Sequence, residues 1–490
     1  MPGEMARRQC IGIDDSRDAR AMCTRRLPSG NLSDNLGMSR ISPSAPAARP
    51  GAPADRAAGQ TAHDLAAAAD AAMRDPAAHG DPAQRHRMLR WTWRRGRPTS
   101  GNTVRLLRGG QDFFPALIAA IDQAVFQVIL ETYIYADDEV GRAVSDALIR
   151  AAARGVSVRV TVDGFGAGDM PAEMAERLSA SGVQLRVYRV LRGFRLARRH
   201  LRRLHRKLAV IDRREAFVGG INIIDDHNHG PFEGANLGPR YDFAVQVSGP
   251  LVDHIALTAE RLWWRLSLRD VHGSDRAAAV AEYPLVTDLP PRPEPQGGVR
   301  AALLLRDNLR NRRTIEREYL RALGAARHDV ILANAYFLPG HKMRRALLAC
   351  RRRGVRVRLL LQGMVEYRLQ HYATHALYAS LLEAGVEIYE YADSFLHAKV
   401  GVVDEAWATV GSSNMDPFSL LLAREANVAV YDAAFAAELR AALERAIAHR
   451  SVRVMPEVHA RRSPLHRFAN WSAYMLLRLG VIIAGVTGRY

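Results

Sequence analysis

Lysine is nearly missing from this chain of 490 residues. Of its 69 basic residues only three are lysines, Lys207, Lys342 and Lys399, and arginine supplies the rest. Cysteine is as scarce: Cys10, Cys23 and Cys350. Two of those lie in an irregular N-terminal stretch, which excludes a disulfide-built scaffold and favours a reducing compartment. Aromatic residues make up 7% of the chain, and they are not interleaved with basic residues in the stacking platform that single-strand nucleic-acid binders use. The opening MPGEMARRQCIGIDDSRDAR lacks the apolar core of a secretory signal. Acidic residues are too few to balance the arginines, and the formal charge of +18 calls for a polyanionic partner, either nucleic acid or an anionic membrane surface.

What is present divides into segments. Residues 1–97, rich in Ala, Arg, Pro, Gly and Asp, read as a disordered tail. YPLVTDLPPRPEPQGG, residues 283–298, reads as a proline-rich linker. It separates two similar units, 98–282 and 299–455. In the first, VILETYIYADDEVGRAVSDALIRAAARGVSVRVTVDG alternates strand, helix, glycine turn and strand; VILANAYFLPGHKMRRALLACRRRGVRVRLLLQG does the same about two hundred residues later. Gly155 and Gly354 follow basic helix ends, as C-caps do. Alternating strands and helices predict α/β sandwich domains with a mixed sheet in each half. Residues 456–490 contain an apolar run broken by Arg478. That run fits an interfacial helix, with Trp471 and Tyr474 at headgroup level and Arg467, Arg478 and Arg489 facing phosphates; a helix docked on the core and an interrupted span are the alternatives.

Two of the three lysines belong to one repeated pattern. His205-Arg-Lys207 is followed by Asp212 and then Gly219-Gly220-Ile-Asn222; His397-Ala-Lys399 is followed by Asp404 and then Gly411-Ser412-Ser-Asn414. Where the chain otherwise uses arginine, these positions keep a compact ammonium suited to one phosphate oxygen in a tight site. On a strand, His and Lys two residues apart share a face, while Asp212 and Asp404 fall on the opposite parity near the strand end. They complete the motif and are counted with its catalytic residues, although their placement suits holding backbone or neighbouring side chains better than joining an attack.

If the two halves meet, two imidazoles and two ammoniums converge. Two lysines and the amides of Asn222 and Asn414 can then cradle one phosphodiester. One imidazole attacks phosphorus; the other protonates the leaving alkoxide and later deprotonates the incoming nucleophile. No metal or other cofactor is expected, because the lysines carry the positive charge. A zinc site built from His205, His397 and Asp is disfavoured by the adjacent ammoniums. His200, His227, His229 and His254 have no comparable context and read as surface or loop residues.

The twin pattern resembles the phospholipase D superfamily across about residues 100–455, and within it the B-type bacterial cardiolipin synthases. Stretches such as LLRGGQDFFPALIAAIDQA and GSSNMDPFSLLLAREANVAV carry the likeness. The resemblance implies two phospholipase D-like domains packed around a shared active site, with His205 as nucleophile and His397 as general acid/base. Lys207, Lys399, Asn222, Asn414 and Ser412 would bind phosphate; Gly220 replaces the serine in the first copy. Glu425, eleven residues after Asn414, matches a histidine-orienting carboxylate, and Asp242 is its candidate counterpart. The implied reaction is transfer of a phosphatidyl group to phosphatidylglycerol, from phosphatidylglycerol or phosphatidylethanolamine as donor. The implied setting is the cytoplasmic face of a bacterial inner membrane, peripheral or interfacial, with an anionic bilayer as partner and no obligate protein partner. The metal-dependent route through a CDP-activated lipid would need an aspartate-rich motif that the chain lacks. A hydrolytic phospholipase and a phosphodiesterase nuclease using the basic run YRVLRGFRLARRHLRRLHRK are the alternative enzymes; nucleic acid is the less favoured partner. A non-catalytic membrane scaffold would have lost a His or Lys from one copy, and neither copy has.

Overall fold

The computed structural model describes residues 96–189, 202–232, 237–268, 297–307, 311–416, 423–461 and 463–483. The tail, nearly all of the linker, residues 190–201 of the basic run with His200, and residues 484–490 with Arg489 lie outside the described residues.

The first half runs β1 (Thr99–Arg108), α1 (Gly109–Asp122), β2 (Gln127–Thr132), α2 (Glu139–Ala153), β3 (Ser157–Asp163), α3 (Ala172–Ala180), β4 (Gln184–Tyr188), β5 (Arg203–Leu204), β6 (Lys207–Ile211), β7 (Glu215–Gly219), β8 (Phe243–Ser248) and α4 (Leu251–Ser267). The second runs β9 (Val299–Arg306), α5 (Thr314–Ala325), β10 (Asp329–Asn334), α6 (His341–Arg352), β11 (Arg356–Gln362), α7 (Arg368–His375), α8 (Tyr378–Glu383), β12 (Glu387–Tyr391), β13 (Lys399–Val403), β14 (Trp407–Gly411), β15 (Ala423–Tyr431), α9 (Ala433–His449), β16 (Ser451–Arg453), α10 (Pro456–Ala460) and α11 (Pro464–Ile483). Local chemistry sets the boundaries. Asp138 caps α2 by accepting from the Gly141 N–H at 2.9 Å, and Gly155 and Gly354 follow α2 and α6 at φ +87° and +84°, where a side chain would be strained.

Strand order is the same in both halves: β1-β8-β7-β6-β2-β3-β4 and β9-β15-β14-β13-β10-β11-β12, with β16 added at the second edge. β2–β3–β4 and β10–β11–β12 pair in parallel and their neighbours pair antiparallel, so each sheet is mixed, as the sequence predicts. The two sheets are joined edge to edge, because β1 pairs antiparallel with β9 through Thr99–Ala301 and Asn102–Val299. Each half thus closes the other's open edge. The sheets also share a core: Val210, Val218 and Phe243 cluster with Val400, Val410 and Val428 under α4 and α9. Outer cores, one per half, lie beneath α1 and α2 and beneath α5, α6 and α11. α11 is packed on α7 through buried Ala473 and Leu477, and no helix among the described residues is long and apolar enough to cross a membrane.

Asp212 and Asp404 work at the far ends of the motif strands. The Asp212 carboxylate accepts the N–H groups of Val125, Phe126 and Gln127 at 2.7–2.8 Å; Asp404 accepts those of Arg327, His328 and Asp329 at 2.8–2.9 Å. Both have left-handed backbones, φ +49° and +50°, a conformation aspartate and asparagine tolerate better than alanine. Five strand residues, roughly 16 Å, separate each from its histidine. Burial would raise the Asp404 carboxyl, but the three N–H bonds outweigh it and hold the carboxyl below its ordinary value. Its stabilising contribution is therefore present above the unfolded carboxylate range and is lost as pH falls through the depressed folded value. Asp404→Ala is expected to lower stability by about 2–3 kcal/mol and Asp404→Asn by less, read by denaturant unfolding at pH 7. The gap between Asp404→Ala and wild type should narrow towards pH 3; a gap that stays constant with pH would contradict this role.

Candidate active site

Two short backbone seams place the histidines. β5 pairs in parallel with β15, and the His205 N–H donates to the Arg424 carbonyl at 3.0 Å. In the second half Leu396 forms a parallel bridge with Tyr241, and the His397 N–H donates to the Tyr241 carbonyl at 2.9 Å. Each histidine is therefore stitched to the opposite half.

The side chains repeat that crossing. His205 Nδ1 lies 3.1 and 3.2 Å from the two carboxylate oxygens of Glu425. His397 Nδ1 lies 2.6 Å from Asp242 Oδ2. Glu425 and Asp242 are equivalent positions, since Gly411 pairs with Asn427 and Gly219 with Ala244, each two residues further on. With Nδ1–H donated to a carboxylate, Nε2 of each imidazole keeps its lone pair for chemistry. Each imidazole is 18% exposed, while both carboxylates are essentially buried.

Lys207 and Lys399 are also buried, at 3% and 0% exposure. Lys207 Nζ donates to the His205 carbonyl at 2.8 Å, Lys399 donates to the His397 carbonyl, and Lys399 Nζ stands 3.8 Å from Asp242. Burial lowers Lys207 to about 7 and Lys399 to about 8, with Glu425 and Asp242 opposing the fall. Burial and the lysines beside them lower both histidines, His397 further than His205. Burial drives Asp242 up to about 6 against the pull of Lys399. Burial would raise Glu425 too, but there His205 and Lys207 outweigh it and hold the carboxyl below its ordinary value. These mutual influences across the halves mean that the two His-Lys pairs converge on one site.

Asn222 and Asn414 follow their motif strands and are buried. Asn222 Oδ1 accepts the Ile134 N–H at 3.1 Å, which turns its amide nitrogen away from that strand; Asn414 Oδ1 has no hydrogen-bond partner among the described residues. Ser412, expected as a phosphate ligand, has its hydroxyl engaged by Glu425 and Ala426. It is fully buried; its hydroxyl donates to Glu425 Oε2 at 2.6 Å and accepts the Ala426 N–H at 3.1 Å. In the first copy Gly220 stands there, and a Cβ on it would lie 2.3 Å from Asp242 Oδ1, so only glycine fits against that shorter carboxylate. Asp212 and Asp404 are not brought to the site. The structure brings together His205, Lys207, His397, Lys399, Asp242 and Glu425, with Asn222 and Asn414 at the strand ends.

Several supporting residues escaped the sequence reading. Arg206, on the opposite face from His205 and Lys207, is buried against Glu131 at 2.8 Å. The Tyr133 ring lies 4.9 Å from the His205 ring at a 60° tilt, with Lys207 Nζ 5.3 Å from the tyrosine centroid. Asp163 accepts the Leu204 N–H at 2.7 Å and Gln362 the Leu396 N–H at 2.9 Å. The signal for that last pair was present in the sequence: both residues end the repeated VSVRVTVD and VRVRLLLQ stretches. Of the other histidines, His229 is buried in a loop with Nε2 3.1 Å from the Gly238 carbonyl, His227 lies in the same loop, and His254 is on α4. No cluster of metal-ligand type occurs among the described residues.

Residues 117–233 and 319–447, one block in each half, match the family described as cardiolipin synthase, PLD-like domain. Cardiolipin synthase B of Escherichia coli (strain K12) is 38% identical over 372 residues, covering 74% of this chain and 83% of the relative. The chain belongs to the cardiolipin synthase, PLD-like family. Cardiolipin synthase B of Salmonella typhimurium is 40% identical over 69% of this chain and 79% of its own length; cardiolipin synthase 2 of Bacillus anthracis is 31% identical over 76% and 70%. In fold the chain resembles the phosphatidylserine synthase of Haemophilus influenzae, with a TM-score of 0.56 at 13% identity over 81% of this chain and 98% of that one.

A phosphodiester anion entering this site favours the charged form of the lysines and histidines that burial has discharged, and the neutral form of the Asp242 carboxyl. In the empty enzyme Lys207 loses its proton near 7 and Lys399 near 8; in the complex both hold it to higher pH. The expected profile is a kcat/KM that falls above about pH 7 while kcat persists roughly one unit higher. Coincident alkaline limbs in the two profiles would contradict discharged lysines.

Proposed function

We propose that the chain synthesises cardiolipin by transferring a phosphatidyl group to phosphatidylglycerol, by two in-line displacements at one phosphorus. The crossed pairs, His205–Glu425 and His397–Asp242, are the observation that supports this reading most directly. His205 Nε2 attacks phosphorus while Glu425 supports the positive charge that grows on its ring. The P–O bond to the headgroup breaks, and His397, protonated at Nε2 once the phosphodiester anion is bound, gives that proton to the departing oxygen. The headgroup hydroxyl of a phosphatidylglycerol then enters from the same side. It gives its proton to His397 and forms a new P–O bond as the P–N bond to His205 breaks. Two inversions leave retention at phosphorus. Lys207 and Lys399 neutralise the phosphoryl oxygens, the role a metal ion plays in other phosphoryl-transfer enzymes, and the Asn222 and Asn414 amides hold the same group. Water entering in place of the acceptor would make the enzyme a hydrolase, so the identity of the second nucleophile separates the two readings.

The membrane contact belongs to α11. Its inner face docks on the core, while Leu465, Phe468, Trp471, Leu476 and Leu479 on its outer face are each more than half exposed. Val458 on α10 and Tyr367 before α7 are also more than half exposed. Arg478, exposed and near the Tyr474 hydroxyl at 3.5 Å, suits a headgroup phosphate. This combination describes a helix lying in the interface of an anionic bilayer. We place the enzyme peripherally at the cytoplasmic face of a bacterial inner membrane.

Reconstituted protein given labelled phosphatidylglycerol in the presence of a chelator is expected to yield cardiolipin and free glycerol. His205→Ala and His397→Ala should each lower the rate by about a thousandfold or more. Phosphatidic acid without cardiolipin would mean a hydrolase, and abolition by the chelator would remove the lysine-only account. Leu476→Glu together with Leu479→Glu should weaken flotation with phosphatidylglycerol vesicles at least tenfold; unchanged flotation would exclude α11 as the anchor.

A further inference from the structure

The two flanks of the site are not copies of each other. Register places Tyr133 and Ala335 at equivalent positions, one residue beyond the paired ends of β2 and β10, and likewise Asp163 and Gln362 at the ends of β3 and β11. On the first flank the Tyr133 ring lies against His205, 4.9 Å between centroids. Asp163 is wholly used there, accepting from Leu204 and Phe165 and pairing with Arg203 at 3.6 Å. On the second flank alanine replaces the ring. Gln362 spends its carbonyl oxygen on the Leu396 N–H, next to His397, and its buried amide nitrogen has no partner among the described residues.

That amide lines a groove with Ala335, Tyr336, Glu366 and Gln370. The Oε1 of Gln370 is also buried and without a hydrogen-bond partner among the described residues. The groove therefore holds one unused donor and one unused acceptor. Beside them the Tyr336 hydroxyl donates to Glu366 at 2.5 Å. Buried polar groups are rarely left unpaired, and a donor and an acceptor together suit a hydroxyl group, which offers both.

We propose that this groove is an alcohol subsite, in which Gln362, Gln370 and the Tyr336–Glu366 pair hold the hydroxyls of a small polyol headgroup, first as leaving group and then as acceptor. The assignment rests on the phosphatidyl-transfer reading above. In-line displacement requires the departing and entering oxygens to occupy one position opposite His205, and so on the side of His397. The groove lies beside that histidine: Gln362 holds the N–H of Leu396, next to His397, and the charge of Glu366 acts on Lys399. As the acceptor's P–O bond forms and the P–N bond to His205 breaks, the acceptor's proton passes to His397, while its second hydroxyl stays bound to the two glutamines.

The test uses full-length protein and a phosphatidyl donor with a p-nitrophenol leaving group, whose departure needs no polyol contact. Glycerol and ethanol compete as acceptors, and the ratio of phosphatidylglycerol to phosphatidylethanol is measured for wild type, Gln370→Leu and Tyr336→Phe. Wild type should favour glycerol, and each variant should lower the ratio about five- to tenfold by losing glycerol transfer rather than ethanol transfer. An unchanged ratio in both variants overturns the subsite. So does complete loss of nitrophenol release in both, since the two side chains would then serve more than the acceptor. Nitrophenol release by wild type with no alcohol transfer at all would instead sink the transferase reading on which the proposal rests.

Discussion

Each histidine is held by a carboxylate from the other half, and most of the molecule's construction follows from that crossing. Two largely buried imidazoles, two buried ammoniums and two buried carboxylates carry a large desolvation cost that pairing offsets only when geometry is good. Neither half can meet it alone: the first would hold His205 with no carboxylate and Asp242 with no imidazole. The β1–β9 seam and the core shared beneath α4 and α9 supply the apolar burial that forces the halves together. The active site is thus a product of the interface rather than a feature of either domain.

Crossing also lets the two copies diverge without losing register. The longer carboxylate, Glu425, reaches past the Ser412 hydroxyl; the shorter one, Asp242, closes directly on Gly220. Their charge states differ for a physical reason. Glu425 is held below its ordinary value by His205 and Lys207 after burial is overcome, while Asp242 is lifted to about 6 because burial wins. A firmly ionised partner suits an imidazole that must carry positive charge after attacking phosphorus. A carboxyl nearer neutrality suits one that must pass a proton back and forth. The division of labour proposed for the two histidines therefore has a basis in their partners.

Much of this was legible in the residues. The repeated units, the glycine stops at Gly155 and Gly354 and the shared face of His and Lys follow from local periodicity, and the α/β class with mixed sheets was found as expected. The opposite parity of Asp212 and Asp404 also has its counterpart in six backbone N–H bonds at the far strand ends. The crossing was not legible, because it depends on pairing between β5 and β15 and between Leu396 and Tyr241, contacts distant in sequence that no local pattern encodes. Ser412 was read as a phosphate ligand for the same reason. Its position in the motif is clear, but whether its hydroxyl meets phosphate or Glu425 depends on a strand thirteen residues away. Of the alternatives for residues 456–490, core docking describes one face of α11, and the exposed apolar face is the basis of the proposed bilayer contact.

The scarcity of lysine finds its physical meaning here. Lys342 lies on α6 and is exposed, whereas Lys207 and Lys399 are the two cations buried at the centre of the site. A guanidinium stays charged at any pH a protein meets. Two of them, facing two imidazoles across a desolvated interface, would repel one another whenever phosphate was absent, and the halves would be driven apart. An ammonium can release its proton instead. Burial brings Lys207 to about 7 and Lys399 to about 8, so the site can relieve its own charge, and in the proposed reaction an arriving phosphodiester would restore it. A chain that builds nearly every other positive charge from arginine keeps lysine at the two positions where positive charge must be conditional.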